Sequence, residues 1–269
     1  MKRKVFEHYQ PYKIKQKARF DLGNNENRII DWAFLPQETL ENLDVNQLSF
    51  YGDNTYSELI EKYATYLGVN PKQVTVGVGS DHLIHMIVST FMEKDDTFLT
   101  VNPDFFMYET YNHMHGSRFE AIDLEEKKRY TRPASREIVG ACGGGEELIY
   151  ELDKVIPPFS LSNLTAKMAA VALNYTDKVL ETVEVIQNLR EEMILFLQGL
   201  DNCQVLPSQA SFVTFKATWA EEFYQQALAQ DWNFKYYPTG KLEGHIRLSI
   251  GRPEEMDMMK KMIEKLVEA

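Results

Sequence analysis

The stretch QVTVGVGSDHLI, Gln73 to Ile84, decides how the rest of the chain is read. Its first half is a short apolar, β-branched run, the pattern of a strand buried on both faces. Gly77 and Gly79 interrupt the run. Ser80-Asp81 then open SDHLIHMIVSTFM, which is apolar around most of a helix's circumference and predicts a buried helix. The first amides of such a helix have no intrahelical partner, and the helix dipole favours negative charge there, so a phosphate fits at Gly79, Ser80 and Asp81. The plainer alternative is a strand–turn–helix junction capped by Ser80 or Asp81. His82 stands at the third glycine position of GxGxxG, and no Lys-Ser/Thr follows, so neither a dinucleotide fingerprint nor a Walker A loop is present.

Outward from this stretch, the same alternation continues. DNTYSELIEKYATYLG (Asp53–Gly68) predicts a helix with a Thr55–Glu58 capping box, one face of Leu59, Tyr63 and Tyr66, and an end at Gly68. DTFLTVN predicts a second strand, DFFMYETYNHMHG a helix begun by Pro103 and ended by Gly116, and RFEAID a third strand. Strands alternating with helices predict an α/β layer with a mostly parallel sheet. Between Tyr130 and Glu147, YTRPASREIVGACGGGEE has no period of either kind. Order returns with a helix at EELIYELDKV and a long helical stretch from Leu164 to Leu200, interrupted near Asn174. Next come strand SFVTFKA, helix WAEEFYQQALAQ, strands NFKYY and HIRLSIG, and a closing helix with Pro253 in its first turn. The expected division is a large domain over 1–200, interrupted around 124–146 and including the N-terminal arm, and a small α+β domain over 201–269.

The 269 residues carry 29 Lys and Arg against 40 Asp and Glu, a formal charge of −11. That acidity argues against nucleic acid or an anionic membrane as the main partner while leaving room for a local basic pocket. Two cysteines are too few for a disulfide framework, and neither an apolar leader nor a spanning run appears, so the expectation is a cytoplasmic protein. His82 and His85 lie three apart on a helix, and His113 and His115 flank Met114. Lacking a suitable acidic neighbour beyond Asp81, they do not predict a metal site. There is no GxSxG nucleophile elbow. In HIRLSIG, strand alternation puts His245, Arg247 and Ser249 on one face, where Arg247 could grip a carboxylate or lie as an ordinary surface cation. Phe105 or Phe106, after the second strand, could stack on a flat ring or simply join the core.

Taken in order, LGNNEN, FYGDNTYSELIEKYATYLGV, VTVGVGSDHLI, VNPDFFMYETY, ELIYELDKVIPPFSLSNLTAKMAAVAL, SQASFVTFK and HIRLSIGRPEE resemble the fold-type-I aminotransferases that use pyridoxal phosphate, and within them the histidinol-phosphate aminotransferase group. The resemblance implies a fold-type-I large domain, here with a truncated sheet, and a small C-terminal α+β domain. It implies that Gly79, Ser80 and Asp81 hold the cofactor phosphate, that Phe105 stacks on its ring, and that Tyr51 reaches the phosphate of a neighbouring subunit, hence a homodimer. It further implies that Arg247 binds the carboxylate of an amino acid or 2-oxo acid and that Asn24 lies near that substrate. Lys235 takes the place of an arginine for a substrate phosphate, keeping the charge and losing the bidentate fork.

Between Asp123 and Glu146, by the resemblance, the family's Asn-Pro-Asn-Asn-Pro-Thr-Gly loop, Asp-Glu-Ala-Tyr strand end and cofactor-bonding lysine belong. Neither of the first two appears. TRPASREIVG resembles a compressed remnant of the lysine segment, with Arg136 at the lysine position; a guanidinium offers no free amine. Lys127 and Lys128 sit in a charged run, and Lys167 reads as structural. The residues thus predict a family member with an internal deletion and little or no transamination, and leave open a protein that holds the cofactor non-covalently or one that serves only to assemble with itself or a relative.

Overall fold

The computed structural model describes residues 18–44, 46, 50–123 and 140–268. Arg136, Lys127 and Lys128 lie outside the described residues, so the position expected for the lysine has no structural account. In chain order the elements are β1 (Phe20–Asp21), α1 (Leu35–Glu41), α2 (Ser57–Leu67), β2 (Val74–Gly77), α3 (Gly79–Phe91), β3 (Thr97–Asn102), α4 (Met107–His115), β4 (Arg118–Asp123), β5 (Gly140–Gly143) and α5 (Glu146–Asp153). There follow α6 (Asn163–Ala172), α7 (Thr176–Gln198), β6 (Cys203–Leu206), β7 (Phe212–Ala217), α8 (Ala220–Ala229), β8 (Trp232–Asn233), β9 (Lys235–Tyr237), β10 (His245–Ser249) and α9 (Pro253–Val267).

These elements fall into two compact units. Among the described residues, one holds residues 32–44, 46, 50–123 and 140–176; the other holds residues 18–31 and 177–268. The join therefore falls between Thr176 and Asp177, and the N-terminal strand goes with the second unit, whereas the sequence reading set one boundary at 200 and kept the N-terminal arm with the first.

In the first unit, β2 is buried along its whole length, as its apolar run requires, and β3 and β4 run parallel in register from Thr97 opposite Arg118 to Asn102 opposite Asp123. The single mostly parallel sheet expected from the alternation is replaced, among the described residues, by two ribbons: β2 pairs only with β5, antiparallel, and β3 only with β4. The exposed strand faces reflect this, for Leu99 is 59% exposed and Ile122 54%. Gly68 and Gly116 end α2 and α4 in left-handed backbone, as their sequence positions predict. The start of α2 differs from expectation. Asp53, not a Thr55–Glu58 box, takes the amide and hydroxyl of Ser57 with one oxygen and those of Thr55 with the other. An Asx turn two residues upstream outcompetes the box, and Glu58 is left to pair with Lys62 and Lys167.

The second unit has one four-stranded antiparallel sheet, β6-β7-β10-β9, and a parallel two-residue ladder between β1 and β8. Ile246 and Leu248 of β10 and Val213 and Phe215 of β7 face a core closed by Met193 and Leu197 of α7, Phe223 of α8 and Met256, Met259 and Ile263 of α9. The break foreseen near Asn174 is a single 3-10 turn, Leu173–Tyr175, between α6 and α7.

Candidate ligand-binding site

The turn after β2 leads straight into α3 with no side-chain cap. Helix α3 begins at Gly79, one residue earlier than the Ser80-Asp81 start, and its N-cap is Val78, with no side-chain cap. The alternative in which Ser80 or Asp81 caps the helix is therefore overturned. The cause is Gly79 itself, whose φ of +77° lets the chain enter the helix directly from the turn. A Cβ built on Gly79 would meet nothing within 4 Å, so the space beside Gly79 is open. That uncapped, unobstructed helix start fits a phosphate. His82 backs the turn: Val78 N–H donates to its Nδ1 at 3.4 Å, and burial, with the nearby His85, lowers its pKa, keeping the ring neutral.

Phe105 stands after the carboxyl end of β3, not inside a helix started by Pro103; α4 begins only at Met107. Asp104 fixes the approach by accepting from the Phe105 amide at 2.8 Å and from the Thr100 hydroxyl. Phe105 is 36% exposed and makes edge contacts with Phe106 and Tyr108, which leaves part of its ring available. Helices α3 and α4, which start at these two strand ends, pack through the stacked rings of His85 and Tyr111, 4.9 Å apart. Tyr51 is 88% exposed, resting on Phe159 at 4.8 Å. Gly52 beside it, where the family carries Pro, lies so close to Asn163 that a Cβ would collide with the Asn163 amide.

The first unit's described lysines are spoken for or misplaced. Lys62 and Lys167 both hold Glu58, at 3.1 and 2.8 Å, and Lys154 holds Glu151. The structural reading of Lys167 therefore agrees with its ion pair. Lys72 lies in the turn Pro71–Gln73 leading into the amino end of β2, and Lys94 precedes the amino end of β3. Both are at the strand ends opposite to Gly79 and Phe105, and ligands of open α/β sheets gather at carboxyl ends.

In the second unit, Arg247 rises from β10 on the face away from the core. Its guanidinium lies 5.2 Å from the Phe212 ring, and its Nη2 donates to the Gly23 carbonyl at 2.9 Å. Its Nε is buried and has no partner among the described residues. An orphaned charged donor is costly, so an acceptor reaching Arg247 would stabilise it. Lys235 sits directly opposite Arg247 in the β9–β10 register, so both side chains leave the same face. Two cations side by side repel unless an anion lies between them. Asn24 is exposed in the turn between Gly23 and Asn25, which β10 holds at both ends: Arg247 at Gly23 and Ser249 at Asn25. Sequence reasoning missed Ser249, Phe212 and Asp104 as supports, although alternation had already put Ser249 on the face of Arg247.

With these features in place, comparison with known proteins is decisive. The chain matches Aminotransferase class I and II over residues 19–132 and 133–264. It belongs to that family. Histidinol-phosphate aminotransferase of Clostridium novyi (strain NT) is 21% identical over 332 aligned residues, covering 94% of this chain and 93% of that one. The same-named protein of Thermoanaerobacter sp. (strain X514) is 30% identical over 131 residues, 47% of this chain and 36% of its own. Among solved structures, histidinol-phosphate aminotransferase from Sinorhizobium meliloti in complex with pyridoxal-5'-phosphate superimposes with a TM-score of 0.79 at 15% identity, over 94% of this chain and 92% of that one. L-threonine-O-3-phosphate decarboxylase from Porphyromonas gingivalis gives 0.77 at 14%, over 93% and 100%. The chain shares the fold-type-I architecture of these structures. Among its described residues no helix is long and apolar enough to cross a membrane, and no group of three His, Cys, Asp or Glu side chains is placed to hold a metal ion.

Proposed function

We propose that this aminotransferase-family chain binds pyridoxal phosphate through its phosphate, and an amino acid or 2-oxo acid through its carboxylate, but carries out little or no transamination. When bound, pyridoxal phosphate supplies an electron sink for the carbon that bears the substrate's amino group. The amides at Gly79, Ser80 and Asp81 hold the phosphate, Phe105 covers the flat ring, Arg247 takes the carboxylate with Lys235 alongside, and Asn24 lies beside that carboxylate. Among the described residues of the first unit, no lysine is placed to bond the cofactor and carry a proton.

The observation that carries this reading is the placement of the first unit's described lysines, each paired to a carboxylate or at the wrong strand end. A second support is the length of the alignment. Since 94% of 269 residues is about 253, about 79 of the 332 positions aligned with the Clostridium novyi protein have no residue here. The family match breaks at 132/133, between β4 and β5, the two strands at which the two unconnected ribbons meet in sequence. An internal deletion there removes strands from between the ribbons and takes the lysine segment with them. The reading includes a homodimer, supported by Tyr51, an aromatic side chain left 88% exposed; light scattering on the purified chain tests it, and a strict monomer would contradict it.

The functional test is a coupled assay of amino transfer from several amino acids to 2-oxoglutarate, run beside equilibrium binding of pyridoxal phosphate. Binding without turnover is expected, and Gly79→Val should weaken binding about tenfold or more by straining a left-handed position and filling the open space. Turnover at rates usual for the family, about 1 per second or faster, would refute the proposal.

A further inference from the structure

The geometry points to Ser249 as a positioning residue that presents Arg247 to its ligand by locking the turn Gly23–Asn25. This rests on the proposed carboxylate role of Arg247. Ser249 is 1% exposed, and its hydroxyl is used twice on one residue: Oγ accepts from the Asn25 amide at 2.9 Å and donates to Asn25 Oδ1 at 3.0 Å. Asn25 is held by this pair with φ at +59°, a left-handed conformation in which the following chain turns back. Two residues earlier, Gly23 is held from the other side. Its amide donates to Asp21 Oδ1, which also accepts from Asn233 Nδ2 at 2.8 Å. The Ser249 amide completes the arrangement by donating to the Leu22 carbonyl.

The consequence is at the guanidinium. With the turn pinned at Asp21 and Asn25, the Gly23 carbonyl is fixed where it takes an Nη2 hydrogen, and Phe212 supports the guanidinium plane. One donor is thereby satisfied internally, and the buried Nε has no partner among the described residues, so its N–H reports how the guanidinium is held while the remaining guanidinium hydrogens face a ligand. A guanidinium so fixed loses little freedom when it binds a carboxylate. If the Ser249–Asn25 link opens, the Gly23 carbonyl moves and Arg247 regains rotamers that do not present those hydrogens. Asn24, between the two anchored residues, moves with it. Ser249 touches no ligand in this account; it acts through Asn25 and Gly23.

The test follows the Arg247 Nε–H resonance in proton–nitrogen spectra of the full chain, titrated with 2-oxoglutarate, in the wild type, Ser249→Ala, Asn25→Ala and the double variant. Asn25 is exposed, so Asn25→Ala keeps the test alive should Ser249→Ala fail to fold. The expected result is a saturable shift in the wild type, binding weakened about fivefold in each single variant, the size of one lost hydrogen bond, and no further loss in the double, because both act on one link. Inorganic phosphate, whose proposed site is in the first unit, should bind all four proteins alike. Wild-type binding with unchanged affinity in the single variants would overturn the positioning role and leave the carboxylate reading standing. Equally additive losses would overturn it too. No shift of Nε–H in the wild type would overturn the carboxylate reading and the positioning role together.

Discussion

The two units differ in how they bury their apolar side chains. In the second, seventeen buried residues form one continuous cluster around a four-stranded sheet. In the first, nine of the buried residues form two separate clusters of six and three, Ala64, Val74, Leu83, Val88, Ile149 and Leu152 belong to neither, and the two ribbons leave Leu99 and Ile122 exposed. Arg247 lies in the second unit, and the Gly79 turn and Phe105 lie in the first. The unit that holds Arg247 thus has one continuous core, and the unit that holds Gly79 and Phe105 is the one whose described strands form two separate ribbons. A sheet deprived of inner strands keeps its local turns, because a strand–turn–helix junction such as Val74–Phe91 is satisfied by near neighbours, but it loses the shared core that strands on both sides would close.

That contrast predicts a hierarchy of stability. Phe215→Ala, at the centre of the second unit's core, should cost about 3–5 kcal/mol, whereas Leu161→Ala in the first unit's small cluster should cost about 2 kcal/mol, since a small cluster near the surface collapses around the lost volume. Urea unfolding followed by tryptophan fluorescence reads this, because Trp32 lies in the first unit and Trp219 and Trp232 in the second. Equal costs would remove the contrast.

A somewhat smaller effect is expected at Glu255, 3% exposed, gripped by Arg28 through two hydrogen bonds of 2.6 and 3.1 Å. Burial alone would raise the pKa of this carboxyl; hydrogen bonds from Arg28 and from the Arg252 amide outweigh it and hold it below the ordinary glutamate value. A depressed carboxylate stabilises the fold at pH above the unfolded value of 4.5, and that contribution disappears as pH falls through the folded value. Arg28→Met strands the charge and should cost about 3 kcal/mol at pH 7, with the gap from wild type narrowing on acidification below pH 4.5. A gap independent of pH would show that the loss is packing and not charge.

The smallest effect tests the first unit. Asp53, whose hydrogen bonds from Thr55 and Ser57 lower its pKa to about 2, should lose its stabilising role between the unfolded value of 3.8 and about 2. Asp53→Ala should cost about 1 kcal/mol at neutral pH, the usual size of a helix cap, and should flatten the acid limb of the first unit's unfolding, read by amide exchange along α2.

Much of this was legible in sequence because it depends on neighbours. Val74–Gly77 and Thr97–Asn102 are strands because short apolar runs bounded by turn residues have few alternatives, and Gly68 and Gly116 end helices because no side chain opposes their left-handed backbone. Alternation in HIRLSIG put Arg247 and Ser249 on one face, and the register agrees. What was not legible depends on distant partners. The β1–β8 ladder is two residues long and joins segments 212 residues apart. β5 is Gly-Ala-Cys-Gly, a sequence of poor strand propensity, and is a strand because β2 lies beside it. The Thr55–Glu58 box and the Pro103 helix start failed for a more local reason: Asp53 and Asp104 each offer the backbone a competing turn. At the site, the amide turn and the arginine were visible as residue types, but the orphaned Nε, and the hydroxyl that governs it, required coordinates.

The central claim is that the phosphate end of the cofactor is still bound while no lysine bonds the cofactor covalently. The most direct measurement is the intact mass of the purified chain after incubation with pyridoxal phosphate and borohydride reduction, set beside the saturable binding curve of the same sample. The account predicts saturable binding that inorganic phosphate competes away and no stoichiometric mass gain. A gain of one reduced cofactor per chain, mapped to a single lysine, would contradict it and restore an active aminotransferase.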